Sequence, residues 1–104
     1  MSAERSFTFS EAAVLRFAEL VGDHAPVHMD EAFSVSRRFS GRIVHGLFTG
    51  ALLSGLLGEQ LPGPKSVINS ISVKYPAPVY LGQTVSYRAT IKQISTAVKA
   101  VTLV

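Results

Sequence analysis

Polar and apolar residues alternate through Ser6-Phe7-Thr8-Phe9, the period of a short strand. The period then lengthens. Ala13, Val14, Phe17, Ala18 and Val21 recur at helical spacing, which predicts an amphipathic helix over residues 11–21. Ser10 stands where an N-cap belongs, and Glu11 sits in the first turn, where the helix dipole favours a carboxylate. Gly22 supplies the stop. Residues 22–29 read as a loop, because Pro26 disfavours helical geometry at Ala25. Asp30 is placed to cap a short helix from Glu31 to Ser36, and Phe39-Ser40-Gly41 reads as a turn.

The longest apolar stretch runs from Ile43 or Val44 to Leu57 and predicts a central helix over about 45–58. Its apolar residues cover nearly the whole circumference, interrupted by small ones at Gly46, Thr49, Gly50, Ala51, Ser54 and Gly55. A helix apolar on every side has to be wrapped by something else. After Pro62-Gly63-Pro64 the period falls to two. Val67-Ile68, Ile71, Val73 and Tyr75 predict a strand ended by Pro76-Ala77-Pro78. Leu81-Gly82-Gln83 reads as a turn, Val85, Tyr87, Ala89 and Ile91 as a second strand, and Val98 to Val104 as a third. Helices followed by strands define an α+β class with an antiparallel sheet, here curled around the central helix.

Composition narrows the picture. The 104 residues suit one domain, and 47% apolar residues are enough for a core. Only 16% are charged, so a chain this short is expected to hide apolar surface by associating with itself. Cysteine is absent, which removes disulfides and cysteine chemistry and fits a cytoplasmic setting. The net charge of +3 comes from scattered basic residues, apart from Arg37-Arg38 and nearby Arg42. No basic run points to nucleic acid, and a mild positive balance suits a phosphate-bearing small molecule. The N-terminal residues do not form a signal peptide, and the central apolar stretch is too short to span a membrane.

Three features carry candidate chemistry. Asp23 and His28 flank Pro26, and a proline-bent loop can turn a carboxylate and an imidazole toward one point, where they can activate water and move a proton. Taken alone, the pair is weak evidence, and a turn cap with a surface histidine is the more common reading. His24 and His28 have a spacing seen in metal sites, but Pro26 lies between them and no carboxylate follows on a helical turn, so no metal is expected. His45-Gly46 opens the central helix. Helix N-termini present unpaired N–H groups, and Gly46 has no side chain to block access to its own. A packing glycine and a structural histidine account for that pair as well. Ser54 has no G-x-S-x-G context and is no serine nucleophile.

The order of these pieces resembles the MaoC-like hydratase family. Gly22-Asp23-His24-Ala25-Pro26-Val27-His28-Met29-Asp30 resembles its hydratase motif. Phe39-Ser40-Gly41-Arg42-Ile43-Val44-His45-Gly46-Leu47 resembles the segment leading into its central helix, and Ser54 to Gly63 resembles the end of that helix in (R)-specific enoyl-CoA hydratases. The resemblance spans roughly residues 8–95. It implies a single hotdog domain over residues 1–104, a homodimer or higher homo-oligomer, and an acyl-CoA substrate bound near the subunit interface. It implies hydro-lyase activity, the reversible syn hydration of trans-2-enoyl-CoA to (R)-3-hydroxyacyl-CoA, with no cofactor beyond the substrate's own CoA. By carry-over, Asp23, His28 and Gly46 are catalytic, with Asp23 as the base toward water and His28 as the proton donor to C2. Ser54, Pro26, His45 and Arg42 are substrate-binding, and Arg37, Arg38, Arg42 or Lys65 are candidates for the CoA phosphates. This chain departs from the family at Ala25, where an asparagine is usual, and at Val104, where it reads as C-terminally short. Hotdog acyl-thioester binding without turnover, a thioesterase and an acyl-carrier-protein dehydratase are the alternatives the resemblance leaves open.

Overall fold

The chain enters as a strand, β1 (Ser2–Thr8), and Ser10 converts it into a helix, α1 (Glu11–Val21). The structure, a computed structural model, describes residues 2–95 and 100–103. The Ser10 side chain accepts the Ala13 N–H, and Gly22 ends the helix at φ 75° with its own N–H on the Ala18 carbonyl. Both ends therefore follow from local chemistry, as the sequence predicts. The loop after Gly22 contains a single helical turn, α2 (Pro26–Met29), that the sequence reading leaves as loop. The proline argument survives in a different form. Ala25 is extended, as a residue before proline must be, and Pro26 takes the first helical position, where its missing N–H costs nothing. Asp30 then caps α3 (Glu31–Ser36) by accepting the Phe33 N–H.

The central apolar stretch starts at Gly46, within a residue of the predicted 45–58, and is broken in two, α4 (Gly46–Ala51) and α5 (Leu53–Glu59). The residues just before it are used otherwise. The Val44 N–H donates to the Val79 carbonyl at 2.7 Å, the Leu81 N–H donates to the Arg42 carbonyl at 3.3 Å, and Ile43 bridges Tyr80 antiparallel. The break falls where the Tyr87 hydroxyl donates to the Thr49 carbonyl at 2.7 Å. That carbonyl is the one the Leu53 N–H would take in an unbroken helix, and a side chain entering the ladder disrupts it.

β2 (Thr84–Ser95) lies between β1 and β3 (Ala100–Leu103), antiparallel to both. Its alternation is real: Val85, Tyr87, Ala89 and Ile91 turn inward while Thr84, Ser86, Arg88 and Thr90 are exposed. Val98, Lys99 and Val104, which the sequence assigns to the last strand, lie outside the described residues. The inner face of the sheet packs on α5, where Leu56 and Ala89 are buried together with Leu61. A second cluster of Phe9, Val14 and Val44 joins β1, α1 and the start of α4, with Phe48 stacked on Phe17 at 4.5 Å between ring centres.

The strand predicted over Val67 to Tyr75 does not form. No strand among the described residues hydrogen-bonds to the segment, and a strand exists only as part of a ladder. Val67 is 91% exposed and Ile71 59%. The central helix is correspondingly covered on part of its circumference only, and Leu47 on α4 is 77% exposed.

Candidate active site

α1, the α2 loop and the start of α4 converge on one cleft of about 440 Å³. Asp23, His28 and His45 form its polar wall, and Phe17, Val21, Leu47 and Tyr75 its apolar one, with Gly46 between them.

The proline-bent loop performs the convergence that the sequence allows. His28 Nε2 lies 3.8 Å from Asp23 Oδ2. His28 is buried, whereas the Asp23 carboxylate is about half exposed and faces the opening. His28 Nδ1 is 2.8 Å from the Ile43 carbonyl oxygen. A carbonyl can only accept, so Nδ1 carries a proton, and in its neutral form the ring presents a lone pair at Nε2, toward Asp23.

His45 anchors the same loop from the helix side. Its Nε2–H donates to the Asp23 backbone carbonyl at 2.9 Å, and its ring stacks on His28 at 3.8 Å between centres. Its Nδ1, which carries the lone pair, is buried with no partner among the described residues. The loop is closed further by Asp23 Oδ1, which accepts the Ala25 N–H at 3.1 Å. The backbone at position 25 thus supplies a restraint even though its side chain carries no amide. Arg42 clamps from the far side, donating to the His28 carbonyl at 2.8 Å and to Glu11 at 2.9 Å.

Gly46 is the first residue of α4. The Phe48 and Thr49 amides both bond the His45 carbonyl, while the Gly46 and Leu47 amides have no acceptor among the described residues. A Cβ at Gly46 would lie 3.2 Å from the Tyr75 ring, so glycine here is what lets the ring approach the helix start.

The remaining sequence candidates sit elsewhere. Pro26 is exposed at the start of α2, behind the pair it bends. Ser54 is exposed on α5, beyond the break at Leu52, and does not line the cleft. Arg42 is occupied as a clamp. Arg37 lies over the Phe33 ring at 5.3 Å, and neither it nor Arg38 nor Lys65 lines the cleft. Tyr75 and Phe17 are wall residues that the sequence assigned to a strand and a core face; period alone cannot tell a core face from a cavity wall. Asp23, His28 and His45 each offer one ligand atom, all within 4.8 Å of one another. Such a triplet can hold a cation, and a carboxylate beside two imidazoles equally suits water and proton chemistry.

An antiparallel sheet laid against a helix, with an Asp–His loop facing that helix's N-terminus, defines a hotdog-fold domain, the fold of the solved (R)-hydratases it superposes on. The family model described as MaoC like domain matches residues 1–103, and the chain belongs to that family. Among curated relatives, the (R)-specific enoyl-CoA hydratase of Aeromonas caviae is 42% identical over 84 residues, which are 81% of this chain and 63% of that protein. The 3-hydroxybutyryl-CoA dehydratase of Methylorubrum extorquens is 39% identical over 85 residues, 82% of this chain and 54% of that protein. The chain therefore spans about 54–63% of the length of these relatives. The solved (R)-hydratase from A. caviae, described as involved in PHA biosynthesis, superposes with a TM-score of 0.88 at 31% identity, covering 99% of this chain and 88% of that one. No helix among the described residues is long and apolar enough to cross a membrane.

Proposed function

We propose that this chain is an (R)-specific enoyl-CoA hydratase, a hydro-lyase that adds water reversibly to trans-2-enoyl-CoA to give the (R)-3-hydroxyacyl-CoA. The observation that carries the reading is the Asp23–His28 pair, 3.8 Å apart beside the free amides that open α4. The two relatives named above, one a hydratase and one a dehydratase, support the same chemistry read in its two directions.

The tautomer of His28 refines the roles. The sequence reading makes Asp23 the base and His28 the proton donor. With Nδ1–H held by Ile43, the neutral ring accepts at Nε2. On the proposed route, a water bound between Asp23 Oδ2 and His28 Nε2 gives one proton to Nε2. Asp23 accepts its other O–H, orients it and stabilises the imidazolium that forms. The water oxygen bonds to C3 as the C2–C3 π electrons move to the thioester oxygen. The Gly46 amide donates to that developing enolate. His28 Nε2–H then returns its proton to C2 on the face from which water attacked, which is a syn addition with all atoms accounted for. No electrons are gained or lost, so the reaction asks for no redox cofactor, and the acidifying work a metal would do falls to the pair. His45 and Arg42 act as positioning groups on the loop.

The active unit on this reading is a homodimer. The apolar residues of the segment Val67 to Tyr75 face solvent and its backbone is unpaired among the described residues, and this is the kind of edge that a second copy covers.

The direct test is hydration of crotonyl-CoA, followed by loss of enoyl absorbance and by chiral analysis of the product. Asp23→Asn and His28→Ala are each expected to lower kcat by about 10²–10⁴-fold, the usual worth of positioned acid–base groups. A wild-type rate no higher than that of the double variant, or an (S) product, defeats the proposal.

A further inference from the structure

We infer that Tyr75 sets the acyl-chain length the cleft accepts, its ring closing the Gly46–Gly50 face of α4 against the substrate's tail. The inference rests on the hydratase reading for the position of the thioester and adds a residue to which that reading gives no role. The Tyr75 ring lies along the first turn of α4. Its Cε2 is 3.2 Å from where a Gly46 Cβ would stand, and its hydroxyl is 3.3 Å from the equivalent point on Gly50. Both glycines are needed for a ring to rest this close to the helix. With the thioester oxygen on the Gly46 amide and C3 beside Asp23 and His28, the chain beyond C3 continues along a wall that includes this ring. Its phenol has no hydrogen-bond partner among the described residues. Such a ring acts through its bulk. Removing it uncovers the glycine face beneath, with Val73 as the next side chain beside Gly50.

The experiment compares kcat/KM for trans-2-octenoyl-CoA and crotonyl-CoA in the full chain. Tyr75→Ala is expected to raise the octenoyl-to-crotonyl ratio by at least about tenfold, the discrimination that a single methylene gives in an apolar pocket. Tyr75→Phe keeps the ring and is expected to leave the ratio within about twofold, well inside that discrimination. Gly50→Ala crowds the phenol oxygen toward the cleft and is expected to lower the ratio, which decides the matter if Tyr75→Ala does not fold. An unchanged ratio in Tyr75→Ala or in Gly50→Ala overturns the inference. So does an equal change in KM for both substrates, which would place the ring against their common CoA portion. Calorimetric affinities for octanoyl-CoA and butyryl-CoA separate the two readings. If the wild type hydrates nothing, the hydratase proposal falls, while the same Tyr75-dependent shift in the affinity ratio upholds this inference and its absence ends it.

Discussion

His28 is held at Nδ1 by the Ile43 carbonyl, and this bond decides which of its nitrogens faces the water site. His45 fixes the other half of the pair, because its Nε2–H holds the backbone of Asp23 itself. Removing that ring frees the loop and opens a gap beneath His28. His45→Ala is therefore expected to lose about 2–4 kcal/mol of stability, from the cavity and the unmade bond together. Its kcat/KM should fall by about 10²-fold, the cost of misplacing a reacting group by an ångström. His45→Gln keeps an N–H with the reach of Nε2 and should recover part of kcat/KM, which a purely packing role would not produce. Melting curves and crotonyl-CoA kinetics on the two variants check this. The pair itself was legible in the sequence as residue types across a proline. Its tautomer was not, because Ile43 lies 15 positions from His28 and only the fold brings that carbonyl to the ring.

At the scale of the elements, α1 and α3 begin and end where their sequences say, since caps act over three or four residues and need no partner from elsewhere. The central helix depends on distant residues. Its start is set by pairing of residues 42–44 with 79–81, and its break by a hydroxyl from β2. Tyr87 also ties stability to pH. Burial raises its pKa above the ordinary 10.0, so the folded state keeps the phenol proton longer than the unfolded state does. Its contribution is fully present below about pH 10 and is lost as pH rises through the folded-state value. Tyr87→Phe is expected to lower stability by about 1 kcal/mol at neutral pH, or roughly 4–8 °C in Tm. Thermal melts from about pH 8 to about pH 11 should then fall less steeply in the variant than in the wild type.

At the scale of the whole molecule, the segment from Val67 to Tyr75 reads as a strand and finds no ladder within the described residues. Alternation reports which side chains seek a common apolar face. It does not report where the partner lies. If a second copy is the partner, as proposed, sedimentation equilibrium should give twice the chain mass. Ile71→Glu, which puts a charge into the covered face, should shift the population to monomer at micromolar concentration. A wild-type monomer at every concentration would contradict the proposal. The same segment carries Tyr75 to the cleft, so the monomerising variant should also alter kcat/KM.

Taken by itself, the sequence determined what short-range physics controls. That comprises the capped helices, the alternating faces of β2, the proline-bent loop with its carboxylate and imidazole, and the glycine that leaves a helix start uncovered. Tertiary structure decided everything that depends on groups far apart in the chain. It chose the nitrogen His28 presents, assigned His45 and Arg42 to hold the loop, left Ser54 outside the cleft, and put Tyr75 over the glycine face. Neighbouring residues dictate backbone geometry within a few positions. A cleft wall or a hydrogen-bond partner is chosen only when the sheet, the helix and the loops have closed on one another.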